Sequence, residues 1–170
     1  GDGPDTPAVL TGLSVVDPEH ALDMSDLDSD LIDIFVEEGH DLLDHSDLLL
    51  VRLRENPNER ETIAGLQRDL HTLKGGARMA GISAMGDLAH ELESLVIQIN
   101  YGNVASDDRA RGVAQQVLDE LARMREQVAA GRPVAPARGL IERIHAVASG
   151  AALAVETTSA ATPSAMPAID

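Results

Sequence analysis

The chain has 170 residues, 44% of them hydrophobic, and a formal net charge of −16 at pH 7. This length and apolar content suffice for one domain with a real core, whereas the negative charge argues against binding nucleic acid or an anionic membrane surface. The sequence has no cysteine, so disulfide and thiolate chemistry are excluded, and it has no apolar run typical of a membrane span or signal peptide. We therefore expect protein partners and a cytoplasmic location.

The two ends of the chain differ in composition from its middle. Residues 1–26 are rich in Gly, Pro, Asp and Thr without sustained periodicity, and residues 149–170 form an Ala/Thr/Ser/Pro tract. Both ends are interpreted as linkers, and residues 27–148 as a helical domain between them. Two flanking linkers favour a domain that is part of a larger multidomain chain.

Between the predicted linkers, apolar residues recur at the steps of three and four that are typical of amphipathic helices. Four long helices and a short fifth are predicted, at about residues 28–55, 59–80, 83–100, 106–130 and 137–148. Ser83 and Ser106 are the candidate N-caps of the third and fourth helices. Phe35 and Tyr101 are the only aromatic residues, which favours helix packing over a β-sandwich. The short connections predict an all-α fold, an antiparallel up-and-down four-helix bundle with a short fifth helix.

The second predicted helix carries a histidine outside its apolar stripe. That stripe consists of Ile63, Leu66, Leu70, Leu73 and Ala77. His71 shares the opposite face with Gln67, Lys74, Gly75 and Arg78, its neighbours at steps of three, four and seven. The pattern predicts a solvent-exposed imidazole with a lysine one helical turn away.

The third predicted helix supplies a candidate partner for this imidazole. His90 and Glu93 are three residues apart and therefore share a face, which meets His71 if the second and third helices are antiparallel neighbours. A carboxylate that accepts the Nδ1 proton of a histidine leaves the Nε2 lone pair free as a nucleophile. We assign that role to Glu93, and we expect Lys74 to hold the oxygens of a phosphoryl group on Nε2.

These residues resemble the histidine-containing phosphotransfer (HPt) domain family, whose pattern is His-x-x-Lys-Gly followed by small residues and a later glycine. Here the pattern falls on His71, Lys74, Gly75, Gly76, Ala77 and Gly81. The segment 88–95 is similar to the third helix of the phosphotransfer domain of chemotaxis-type histidine kinases, in which a His and a Glu at the spacing of His90 and Glu93 surround the phosphorylated histidine. The resemblance covers about residues 27–147. Within the family, the segment 71–81 is most similar to the repeated HPt domains of the chemotaxis-like hybrid kinases of type IV pilus and twitching motility systems.

The resemblance implies that His71 accepts a phosphoryl group from an ATP-dependent kinase domain and passes it to a receiver-domain aspartate. Gln67, Gly75 and Arg78 are then expected to face the docking partner, with Gly75 leaving clearance beside the imidazole. Arg78 and Met79 are bulkier than many members of the family carry and are expected to alter partner preference.

Two other functions fit parts of the pattern. One is a helical adaptor or scaffold domain whose histidine is idle, and the other is a metal-dependent enzyme that uses His71, His90 and Glu93. The zinc motif His-Glu-x-x-His is incomplete because Ser94 stands where its second histidine belongs, and no glycine-rich nucleotide loop is present. We expect no metal, no cofactor and no phosphorylation from ATP by this chain alone. The remaining histidines are interpreted as linker, surface or helix-packing residues, namely His20, His40, His45 and His145.

Overall fold

The structure, a computed structural model, describes the backbone of residues 18–150 and the side chains of residues 29–150. This part of the chain consists of five helices and contains no strand. The helices are α1 (Pro18–Glu55), α2 (Arg60–Met79), α3 (Ser83–Asn100), α4 (Asp108–Ala129) and α5 (Arg138–Ser149). The all-α prediction is therefore confirmed. Residues 1–17 and 151–170, which hold most of the two predicted linkers, lie outside the described residues.

Helix α1 begins at Pro18, ten residues before the predicted start at Asp28. The first residue of a helix tolerates proline, because the missing N–H group has no intrahelical acceptor there. Residues 18–27 lack the regular apolar spacing on which the prediction relied. The predicted linker is thus wrong for residues 18–26, and α1 extends over 38 residues.

The N-termini of α3 and α4 each differ by one residue from the prediction. Asp107, not Ser106, caps α4, because its extended backbone lets its carboxylate accept the N–H of Ala110 at 2.9 Å. Ser83 is the first residue of α3 and not its cap, which is Ile82. The preceding turn explains this early start, since Gly81 has a positive φ of 79° and Ile82 N–H donates to the carbonyl of Ala77 at 2.8 Å.

The first four helices form a closed ring in which each packs on the helices before and after it, and α4 returns to α1. Helix α5 lies against both α3 and α4. The short α2–α3 turn at residues 80–82 makes α2 and α3 antiparallel neighbours, as predicted. This pairing decides the site, because it brings the middle of α3 beside His71.

The core is almost entirely aliphatic. The predicted stripe of α2 is buried in full, and Met85, Leu88, Leu92 and Leu95 cover it from α3. Phe35 is the one aromatic ring in the described core, with 4% of its surface exposed, while Tyr101 is 71% exposed. None of the described helices is long and apolar enough to cross a membrane.

Candidate functional site

His71 lies on the outer surface of α2. Its side chain is 68% exposed, whereas Leu70 and Leu73, one residue before it and two residues after it, are buried. The amphipathic register of α2 therefore fixes the direction of the imidazole, which points away from the core.

Glu93 of α3 lies against this ring. Its Oε2 is 2.9 Å from Nδ1 of His71, and only 7% of the carboxylate side chain is exposed. An ionised carboxylate can only accept, so Nδ1 carries the proton and donates it to Glu93. The unprotonated Nε2 is then the nitrogen that faces solvent. The contact predicted between these two residues is present.

Lys74 binds the other oxygen of the same carboxylate. Its Nζ is 2.7 Å from Oε1 of Glu93, so the two side chains form an ion pair. Burial by itself raises the pKa of Glu93, but the contacts with Lys74 and then His71 outweigh burial and lower the pKa below its ordinary value. Glu93 is therefore ionised at neutral pH, as its role as acceptor requires.

The structure places Lys74 differently from the sequence expectation. We expected Lys74 to hold the oxygens of a phosphoryl group on Nε2, whereas its side chain is only 16% exposed and is paired with Glu93. The helical step from His71 to Lys74 was apparent in the sequence. The short distance between Lys74 and Glu93 across the α2–α3 interface was not apparent, because it depends on the rotation of both helices.

His90 is exposed and makes no hydrogen bond or ion pair with the described side chains. It lies three residues before Glu93, yet it does not join the contact between Glu93 and His71. The predicted role for His90 at the imidazole has no contact to support it. The three residues expected to face a partner all reach the surface beside His71, since Gly75 and Arg78 are exposed and Gln67 is half-buried.

Two neighbouring glycines of α2 serve different purposes. A Cβ added at Gly75 would meet nothing within 4 Å, so the surface beside His71 is open there. A Cβ added at Gly76 would stand 3.1 Å from the ring of Phe35, so this glycine permits the close approach of α1 and α2. This role of Gly76 was not predicted from the sequence, although Phe35, as one of only two aromatic residues, was a signal for a tight contact.

A third glycine positions Arg78. A Cβ at Gly86 of α3 would stand 2.9 Å from Cγ of Arg78, so the arginine stem lies across the start of α3.

Among the described residues, no three His, Asp or Glu side chains cluster in a way that could hold a metal ion.

An antiparallel helical bundle with an exposed, carboxylate-bound histidine on its second helix is the arrangement of a histidine phosphotransfer module. The profile of the Hpt domain family matches residues 30–131. This match covers more than half of the chain, and the chain belongs to the Hpt domain family.

Two curated relatives are long proteins. The chain is 29% identical to the chemotaxis protein CheA of Halobacterium salinarum over 119 residues, which are 69% of this chain and 18% of that protein. It is 30% identical to the gliding motility regulatory protein of Myxococcus xanthus over 129 residues, which are 76% of this chain and 16% of that protein. The chain thus spans less than a fifth of the length of these relatives.

A solved structure has the same fold. The phosphorylated P1 domain of CheA3 from R. sphaeroides, determined in complex with CheY6, superposes with a TM-score of 0.65 at 22% sequence identity. The match covers 71% of this chain and 97% of that domain. The predicted four-helix bundle is therefore confirmed.

Proposed function

We propose that His71 is the phosphoryl-accepting residue of this Hpt domain and that Nε2 is the atom that carries the group. The observation that supports this assignment is the pairing of an exposed ring with a buried carboxylate at Nδ1. Such a carboxylate fixes the tautomer and orientation of the imidazole. The nucleophilic lone pair is then directed at the solvent, where a partner can reach it.

In the transfer step the Nε2 lone pair attacks the phosphorus of the donor. The bond between phosphorus and the leaving oxygen breaks, and the leaving group departs with that electron pair. Nδ1 keeps its proton throughout, so the ring becomes cationic once Nε2 is substituted. The negative charge of Glu93, 2.9 Å from Nδ1, stabilises that cation.

Lys74 has two proposed roles. In the unphosphorylated domain it keeps Glu93 ionised through the 2.7 Å ion pair. After transfer, rotation of its side chain would let the ammonium group bind a phosphoryl oxygen, because a lysine suits phosphate as a point charge.

We propose a kinase ATP-binding domain as the donor and a receiver-domain aspartate as the acceptor. The relatives that contain a region similar to this chain are far longer, so we propose that the parent chain is a multidomain histidine kinase and that this domain alone does not use ATP. Because the donor requires ATP, we place the reaction in the cytoplasm. The narrower assignment to a type IV pilus system remains a proposal, supported by a relative named for gliding motility.

The assignment is tested by labelling with a cognate kinase and ATP. Acid-labile, base-stable label is expected on the tryptic peptide of residues 69–74, which contains His71 and no other histidine. His71→Gln should remove this label with a change in stability within about 0.5 kcal/mol, because the replaced ring lies at the surface. His90→Gln is the matched control, since His90 is also exposed but does not contact Glu93.

Two results would contradict the proposal. Label on the chain with none on residues 69–74 would place the acceptor elsewhere. A chain that binds its kinase but accepts no label would favour the adaptor function.

A further inference from the structure

A second histidine has the same bonding pattern as His71. His45 of α1 lies with Nδ1 2.6 Å from Oδ2 of Asp69, a residue of α2. The imidazole is 56% exposed and the Asp69 side chain only 12%. Asp69 precedes His71 by two residues, so the two carboxylate-bound histidines lie on either side of one helix. In the sequence His45 had no recognisable partner, because Asp69 is 24 residues away.

The other described histidines lack this pattern. His40 contacts Asp44 through Nε2 at 3.4 Å, and His145 contacts Glu91 through Nε2 at 2.7 Å. His90 has no bonded partner among the described side chains. Only His71 and His45 of this group therefore combine an occupied Nδ1 with an unoccupied Nε2.

The carboxylate of Asp69 is held in place by a second contact. Ser46 is 2% exposed, and its hydroxyl donates to the same Oδ2 of Asp69 at 3.2 Å. A carboxylate fixed by a buried hydroxyl orients the imidazole more strictly than a free one. Asp69 thus binds the ring of His45 and is itself held by Ser46. In the same way, Glu93 binds the ring of His71 and is itself paired with Lys74.

A cation lies along the same interface between α1 and α2. The guanidinium of Arg68 extends over Gly65, where an added Cβ would meet its Nη2 at 3.7 Å. The same Cβ would stand 3.3 Å from Leu49, which is one helical turn after His45 on α1. Arg68 therefore lies at the α1–α2 interface, about one helical turn of α1 away from the level of His45. Asp41 and Asp44 on α1 are exposed as well, and their repulsion of a phosphoryl group makes this site weaker than His71.

We propose that His45 is a second phosphoryl-accepting site of this domain, with Asp69 as its positioning residue. The Nε2 lone pair attacks the phosphorus of a donor, and the bond to the leaving group breaks with its electrons going to that group. Nδ1 retains its proton, and Asp69 stabilises the resulting cationic ring. The inference goes beyond the proposed function of His71 and does not depend on it.

The probe is phosphoramidate, a small phosphoryl donor that requires no kinase. The full chain carrying His71→Gln is treated at about pH 8, where an ordinary imidazole is neutral. The rate at each histidine is followed by mass spectrometry, and the phosphorylated nitrogen is identified by NMR. His40 is the internal control, because its side chain is 58% exposed against 56% for His45 and its ring contacts a carboxylate through Nε2 and not through Nδ1.

His45 should be phosphorylated at Nε2 about tenfold faster than His40, and Asp69→Asn should reduce the rate at His45 to that of His40. Ser46→Ala gives a second, milder test, with a smaller loss at His45 and none at His40. The proposal is overturned if His45 reacts no faster than His40, if Nδ1 carries the label, or if both variants leave the rate at His45 unchanged. None of these results bears on kinase-dependent labelling of residues 69–74, so the two proposals fail separately.

Discussion

Glu93 is nearly enclosed by the bundle, yet its Oε2 lies 2.9 Å from Nδ1 of His71, most of whose ring is in solvent. The pair therefore joins a carboxylate inside the α2–α3 interface to the exposed ring whose Nε2 we propose as the phosphoryl acceptor. A buried carboxylate changes position less than a surface one, because its neighbours restrict its rotamers. The consequences can be tested one residue at a time.

Removing the carboxylate should slow phosphorylation without abolishing it. Glu93→Ala eliminates the acceptor for the Nδ1 proton but leaves the nucleophile, so we expect a rate about 10- to 100-fold lower. Glu91→Gln on the same helix is the control, because Glu91 contacts His145 and not His71. Single-turnover labelling by the kinase measures the effect. An unchanged rate in a folded Glu93→Ala domain would show that the hydrogen bond does not assist transfer.

The same carboxylate should make stability depend on pH in the acid range. Burial alone raises the pKa of Glu93, but the contacts with Lys74 and His71 lower it by more than burial raises it. The pKa of Glu93 in the folded state therefore lies below the ordinary value of 4.5. A group with a lowered folded-state pKa stabilises the protein above its unfolded pKa, and this contribution is lost as the pH falls through the folded value.

Urea unfolding of the parent and of Glu93→Gln, from about pH 7 down to about pH 3, measures this contribution. The difference in unfolding free energy should be constant above about pH 5 and shrink below about pH 4.5. A difference that stays constant down to the lowest pH would mean that the ionised carboxylate is not stabilised by its contacts.

Gly75 and Gly76 should respond in opposite directions to alanine. Alanine in a helix is favoured over glycine by about 0.5–1 kcal/mol, and the open space at Gly75 lets Gly75→Ala gain this amount. At Gly76 the new methyl group would stand 3.1 Å from the ring of Phe35, which is only 4% exposed, so we expect Gly76→Ala to destabilise the domain. Thermal unfolding of both variants measures the two changes in stability. Equal stabilisation by Gly75→Ala and Gly76→Ala would mean that Phe35 does not pack tightly against Gly76.

A larger side chain at position 75 should separate stability from transfer. Gly75→Gln introduces a good helix former and should stabilise α2, but its side chain would occupy the surface beside His71 and slow transfer to a receiver. Gly112→Gln is the matched control, because Gly112 is an exposed helical glycine of α4 with equally open surroundings. Parental transfer rates in both variants would mean that the receiver docks on another side of α2.

The apolar spacing predicted all five helices and the buried stripe of α2, since a period of three to four residues is a local property of the chain. The start of α1 escaped prediction, because residues 18–27 lack such a spacing. The cap of α4 was placed one residue early, because Ser106 and Asp107 are both good capping residues and only the backbone angles distinguish them.

The site was predictable as far as His71 and Glu93, whose contact follows from the antiparallel pairing of two amphipathic helices. The pairing of Lys74 with Glu93 and the isolation of His90 were not, because a small rotation of α3 changes which of its side chains reach α2. The partner of His45 was hidden for a different reason. Asp69 looks like an ordinary polar residue of α2 until the position of α1 along it is known.

The near absence of aromatic residues has a practical consequence for spectroscopy. The chain contains no tryptophan, and its single tyrosine, Tyr101, is 71% exposed, so the native emission reports little about the core or the surface of α2. A tryptophan introduced at Met79, which is 71% exposed near the end of α2, would be the only indole in the molecule. Its emission would report the binding of a partner to that helix in real time, with no contribution from another tryptophan of this chain.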